Sequence, residues 1–115
     1  MNRNFRLTQS TDFKRVRRDG KSYAHPLFVL IAMPAEGEVT RVGVTAGRSL
    51  GGAVRRNRAK RLIREAIRPY LPKLKPGWKV IIIARSSLLE ADFSEIKNSL
   101  HQLLLKVDLV KFNHG

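Results

Sequence analysis

AVRRNRAKRLIREAIR, residues 53–68, acquires two chemically different sides when it is wound as an α-helix. At about 100° per residue, Ala59, Leu62, Ile63, Ala66 and Ile67 fall together and form a face able to dock on a sheet. Asn57, Lys60, Arg61, Arg64 and Arg68 fall on the opposite side, flanked by Arg56 and Arg58. With Arg55, seven basic residues in this segment stand against one acid, Glu65. Solvated helix faces normally mix signs, because like charges four residues apart repel. Lys60 and Arg64 form such a pair, as do Arg64 and Arg68. Arg outnumbers Lys, and its planar fork suits bidentate contact with phosphate. The face therefore reads as one that meets a polyanion. Pro69 is expected to stop the helix.

Outward from this helix the pattern changes period. Residues 47–52, GRSLGG, form a flexible basic loop. Before it, Arg41–Ala46 alternates, with Val42 and Val44 on one side and Arg41, Gly43 and Thr45 on the other, which predicts a half-buried strand. Residues 27–33, LFVLIAM, are apolar on both faces of a strand. Residues 22–25 suggest a short strand before it, and 34–38 a turn. After the helix, 69–77 is a proline-containing loop closed by Gly77, and Trp78–Ala84, WKVIIIA, reads as a strand buried on both faces. Residues 92–107 form an amphipathic helix whose stripe is Phe93, Ile96, Leu100, Leu103, Leu104 and Val107, with Asp92 and Glu95 spaced as a capping box. Residues 1–21 form a basic arm carrying Arg3, Arg6, Lys14, Arg15, Arg17, Arg18 and Lys21. Within it a short helix runs to about Arg18, with Ser10, Thr11 or Asp12 as its cap and Gly20 as its end.

Helix, two or three strands, helix, strand, helix is the order of an α/β (α+β) two-layer sandwich. The expectation is one RNA-binding domain over 1–115, with a small mixed sheet of three to four strands and the two long helices on one face. Strand 27–33 needs shelter on its second face as well, and the N-terminal helix with Phe13 is the candidate.

Composition agrees with the charged helix. The chain holds 23 Lys and Arg against 9 Asp and Glu, a formal net charge of +14 in 115 residues. Such self-repulsion fits a protein that works against nucleic acid, where each bound cation releases counterions from the phosphate backbone. There is no cysteine, so disulfides and thiolate metal sites are excluded. No apolar run approaches the roughly 20 residues a membrane helix needs, and a soluble cytoplasmic protein without a membrane partner is the expectation.

The nine acids, Asp12, Asp19, Glu36, Glu38, Glu65, Glu90, Asp92, Glu95 and Asp108, are dispersed, whereas a metal-dependent nuclease needs convergent carboxylates. His25, His101 and His114 lack ligand spacing. No catalytic residue, metal site or protein-bound cofactor is expected. Tyr23 and Trp78 stand at strand starts, where packing competes with base stacking as their role. Gly43, Gly47, Gly51 and Gly52 form no phosphate-loop pattern, and are read as serving turns and close approach of backbone to RNA.

The string Arg56-Asn57-Arg58-Ala59-Lys60-Arg61-Leu62-Ile63-Arg64-Glu65, opened by Gly51-Gly52, resembles the signature of the ribonuclease P protein family. Asp12-Phe13 in the N-terminal helix, the strand pair and VIIIAR at 80–85 match that family's order and spacing. The resemblance implies a ribosomal-protein-like topology with a left-handed crossover, and a protein that binds a catalytic RNA and the 5′ leader of precursor tRNA. It implies further that the RNA subunit performs the cleavage with Mg2+. On this reading Arg56, Asn57, Arg58, Lys60, Arg61, Arg64 and Arg68 bind RNA. Val29 and Ile31 floor a leader-binding cleft that Phe13 and Arg17 wall, with Thr45 on the same face. Arg17 and Ile31 stand where several members carry an aromatic residue, and Phe13 could equally staple its helix to the sheet. The competing readings are a ribosomal-type RNA-binding protein without a processing role, which has no reason to carry the string, and an autonomous nuclease, which the acids disfavour.

Overall fold

A computed structural model describes residues 5–37 and 39–110. The chain runs α1 (Ser10–Asp19), β1 (Lys21–Ala24), β2 (Phe28–Pro34), β3 (Arg41–Ala46), α2 (Ala53–Ile67), β4 (Trp78–Ala84) and α3 (Phe93–Lys106). The strands form one mixed sheet in the order β1-β2-β4-β3, so this is the α/β sandwich the patterning predicts. β4 is central, antiparallel to β2 and parallel to β3, which explains its unbroken Val-Ile run. α2 makes the crossover between the parallel neighbours β3 and β4.

The two faces of the sheet carry separate clusters. On one, Phe28, Leu30, Ala32, Val42, Val44, Val80 and Ile82 pack with Ala59, Ile63, Ala66 and Ile67 of α2 and Ile96, Leu100, Leu103 and Leu104 of α3. Tyr23 and Trp78 pack partly buried against this cluster. On the other face Leu7, Val16, Ile31 and Ile81 are buried, with Phe13, Val29, Met33 and Ile83 packed half-open around them. The short helix α1 is indeed the shelter for the second face.

Several local expectations are corrected. No Ser10, Thr11 or Asp12 side chain caps α1: Gln9 precedes the helix without a side-chain cap, and Asp12 lies inside the first turn, where its Oδ1 accepts from Lys79 Nζ at 2.9 Å. An ion pair across to the sheet has displaced the local cap. Asp92 occupies the N-cap position of α3, but its side chain makes no capping bond. Pro69 ends the α-helix as expected, but the segment after it is not all loop. The α-helix ends at Ile67 and continues as a 3-10 turn over Arg68–Lys73, which takes proline in its first turn because the missing N–H has no partner there to lose. The 27–33 strand is Phe28–Pro34, and the 22–25 strand is Lys21–Ala24. The basic arm is not wholly free. Leu7 is buried and its N–H donates to Val42 O at 3.0 Å, while Arg6 bridges in parallel to Val42, so this segment covers the outer edge of β3. Arg3, Glu38 and His114 lie outside the described residues.

Candidate nucleic-acid interface

Helix periodicity sets the first part of the site. With Ala59, Ile63, Ala66 and Ile67 sealed against the sheet, Asn57, Arg58, Arg61 and Arg68 are left exposed on the outer side of α2. Together with Val54, Arg64 and Glu65 they line a shallow groove along the helix. Arg68 Nη2 donates to Glu65 Oε1 at 2.8 Å, so the one acid of this face is spent on the last of its arginines. Val54 is 83% exposed, an apolar contact point at the head of a basic stripe.

Arg56, Lys60 and Arg64 succeed one another at four-residue spacing and are half-buried. Lys60 and Arg64 of this row turn toward the N-terminal segment, and Arg64 also borders the outer groove, so the basic face wraps from one side of the helix to the other. Between this row and the segment lies a cleft of about 220 Å3, lined by Arg6, Leu7, Thr8, Phe13, Val44, Lys60 and Arg64. Three of these side chains are cations, and none is acidic. The Nε groups of Arg56 and Arg64 are buried without a hydrogen-bond partner. Burial, and secondarily the charge of Arg6, lower the Arg64 pKa from its ordinary value. An Nε–H that is out of reach of water and has no acceptor is poised for an anion, because leaving such a donor unmatched is costly. Arg6 and Thr8 were missed as site residues from sequence. Only the pairing of their segment to the β3 edge brings them to α2. Arg55 belongs instead to the fold, its Nε donating to Leu50 O at 2.7 Å.

The second part of the site follows from strand register. Ala24, Val29, Ile83 and Thr45 form one row across β1, β2, β4 and β3. Ser22, Ile31, Ile81 and Gly43 form the next. α1 lies over this second row, with Val16 fully buried. Ile31, expected in the floor of a cleft, is 8% exposed and is instead part of the seat of α1. The open floor is Val29, Ile83 and Thr45, all half-buried. Ile83 was missed, although its two-residue spacing from Ile81 places both on one face. Asp12 reaches Lys79 on one flank of α1. Phe13 and Arg17, one turn apart, lie on the other flank, beside the open row, and Arg17 is exposed. Gly43 lies in mid-strand, where the alternation of 41–46 places it, beneath the Phe13 ring.

Among the described residues no three His, Asp or Glu side chains gather as a metal site would require. Asp12 pairs with Lys79, Asp19 with Arg18, Glu65 with Arg68 and Asp108 with Lys75. The Arg18 hydrogen bond holds the Asp19 carboxyl below its usual range. No helix among the described residues is long and apolar enough to cross a membrane.

Comparison with known proteins assigns this arrangement. The Ribonuclease P family profile matches residues 1–108. The ribonuclease P protein component of Herpetosiphon aurantiacus is 41% identical over 109 residues, 95% of this chain and 89% of its own length. That of Clostridioides difficile is 36% identical, over 94% of this chain and 96% of its own. The structure of the Staphylococcus aureus RNase P protein superposes with a TM-score of 0.83 at 30% identity, covering 93% of this chain and 98% of that one. The RNase P protein from Thermotoga maritima gives a TM-score of 0.78 at 30% identity, covering 88% and 96%. The chain thus belongs to the ribonuclease P protein family, the RNA-binding protein components of a tRNA-processing ribonucleoprotein.

Proposed function

We propose that this chain acts as one RNA-binding domain that lies between two RNAs. The α2 stripe faces the ribonuclease P RNA, and the open row beside α1 holds the 5′ leader of precursor tRNA while the leader is removed. The observation that carries this reading is the position of Phe13, which borders the open row and also lines the cationic cleft of Arg6, Lys60 and Arg64. An apolar track for bases therefore runs into a cluster of cations for phosphates. That combination suits single-stranded RNA of varied sequence, because every base has a face to pack and every nucleotide has a phosphate.

Catalytic RNA and substrate are both polyanions, and their approach is opposed by charge. A domain of net charge +14 set between them offsets that repulsion without touching the reacting bond. The cleavage itself is assigned to the RNA with Mg2+. Four of this chain's acids, Asp12, Asp19, Glu65 and Asp108, are engaged in ion pairs, which supports a binding and orienting role for the protein.

Two measurements test the reading. Cleavage of precursor tRNA is compared for protein alone, RNA alone and both, across Mg2+ concentrations. Activity is expected with both and not with protein alone, and the protein's benefit should grow as Mg2+ falls; Mg2+-dependent cleavage by RNA-free protein would overturn the assignment. Phe13→Ala should weaken holoenzyme binding to precursor tRNA by about 1 kcal/mol, the low end for base–aromatic stacking, and leave mature tRNA unaffected. Equal losses for both RNAs would make Phe13 a packing residue only.

A further inference from the structure

The Phe13 ring does not sit where it does because of α1 alone. In the row beneath the helix, Ile31 and Ile81 supply full side chains and β3 supplies none, because the residue there is Gly43. A methyl group built on Gly43 would lie 2.7 Å from Phe13 Cε1 and closer still to Cζ, and 3.2 Å from Ile81 Cγ2. The ring thus occupies the place of the missing side chain. The φ of Gly43 is not positive, so space rather than backbone freedom is what requires glycine. The other end of the helix is seated in a similar way. A methyl on Gly20, just past α1, would lie 2.5 Å from Val16 O and 2.7 Å from Ile31 Cγ2. Two absent side chains, one at each end, set the height of α1 over the sheet. Asp12 and Lys79, each about a quarter exposed, tie down the flank opposite the open row.

We infer that Gly43 is a positioning residue for the leader, fixing through the Phe13 ring how deep and how wide the groove over Val29, Ile83 and Thr45 is. This rests on the leader-binding reading above. A side chain at Gly43 must move the ring, because the half-buried Phe13 tip is the nearest neighbour and the other, Ile81, is fully buried. The ring then lifts, α1 rises with it, and the wall of the groove moves away from any base lying on its floor.

The test is a double-mutant cycle in the reconstituted holoenzyme, made of full-length protein and ribonuclease P RNA. The readout is the ratio of affinities for precursor tRNA and for mature tRNA, which a general loss of stability does not move. Gly43→Ala should lower that ratio about fivefold, close to the loss from Phe13→Ala, as the low end of base–aromatic stacking requires. In the Phe13→Ala background the ring is gone, so Gly43→Ala should add nothing to the change in ratio, and most of its thermal destabilisation should vanish too, leaving only the close approach to Ile81. Additive effects on the ratio, or a folded Gly43→Ala protein with the wild-type ratio, would overturn the inference. Should Gly43→Ala not fold, the Phe13→Ala/Gly43→Ala protein is the test: recovery of folding there is expected, and a double variant that also fails to fold while Phe13→Ala folds would equally overturn it. An unchanged ratio for Phe13→Ala alone would instead sink the leader-binding reading on which the inference depends.

Discussion

Across one sheet, neighbouring side chains on β4 meet opposite fates. Ile82 points into the cluster under α2 and α3 and is fully buried; Ile83 points to the α1 side and stays half-open. Two long helices close the first face over almost every apolar residue. One ten-residue helix spans only the Ser22–Ile31–Ile81–Gly43 row of the second and leaves Val29, Ile83 and Thr45 uncovered. The difference separates two kinds of surface in this small domain: the first face holds the fold, and the second is left short of cover, which on the proposed reading is where a strand of RNA completes it.

The adjacent isoleucines offer the sharpest way to break that division. Ile82→Ala should cost about 2–5 kcal/mol of unfolding free energy, lost transfer energy plus a cavity. Ile83→Ala should cost about 1 kcal/mol, because its side chain is already partly in water, yet should lower affinity for precursor tRNA when Ile82→Ala, where folded, does not. Chemical denaturation and tRNA binding measured on both variants decide it. Similar stability losses would mean that the second face is as closed as the first.

Arg64 tests the same separation on α2. Its guanidinium is partly desolvated, repelled by Arg6 and unpartnered at Nε, so its charge contributes little that is favourable to the free protein. Arg64→Ala should destabilise the free protein little, because the packing lost with its stem is offset by relief of the unmatched Nε. It should weaken RNA binding and make the salt dependence shallower by about one unit of slope or slightly less. An unaltered slope with wild-type affinity would show that this row faces no phosphate.

The cationic cleft should also respond to a small oxyanion. Sulfate that binds only the folded state stabilises by mass action, about 1.4 kcal/mol at ten times its Kd, which is a few degrees in Tm at this size. The Tm in sulfate should exceed that in chloride at matched ionic strength, and Arg64→Ala should shrink the difference. Equal melting temperatures for the wild type would show that Arg6, Lys60 and Arg64 do not share an anion.

How much of this was legible beforehand depended on range. The docking face of α2 and the strands Arg41–Ala46 and Trp78–Ala84 were readable because period alone determines them. The arginine string was readable as one exposed basic face and as a family signature. What the sequence hid needed partners distant in the chain. Asp12 looked like a cap because its local neighbours favour one, and only register brings Lys79 beneath it. Leu7 looked like part of a charged arm until its N–H met Val42. Ile31 and Ile83 are equally apolar on paper, and only the seat of α1 decides which of them remains open.

The smallest effect concerns His25, in the turn between β1 and β2 at the end of the open row. Its Nδ1 accepts the Leu27 N–H at 3.0 Å and its ring stacks on Phe28 at 4.9 Å, while Arg85 Nη1 donates to its carbonyl. The acceptor role requires a neutral ring with the proton on Nε2. Burial lowers the His25 pKa from 6.5, and nearby Glu95 opposes the shift. Since the folded-state pKa lies below the unfolded one, the unfolded chain binds the extra proton first as pH falls. The stabilisation is therefore complete above about pH 6.5 and is lost as pH drops from there through the folded-state value. His25→Asn removes the titration and keeps an oxygen able to accept from the residue two positions on. The wild type should lose Tm relative to His25→Asn between pH 8 and pH 5, and parallel curves would show that this hydrogen bond survives protonation. The open row has no titrating group of its own, so the same pH change should leave the relative affinities for precursor and mature tRNA nearly unmoved. A ratio that falls with the Tm would tie this turn to the groove and blur the line between the two faces.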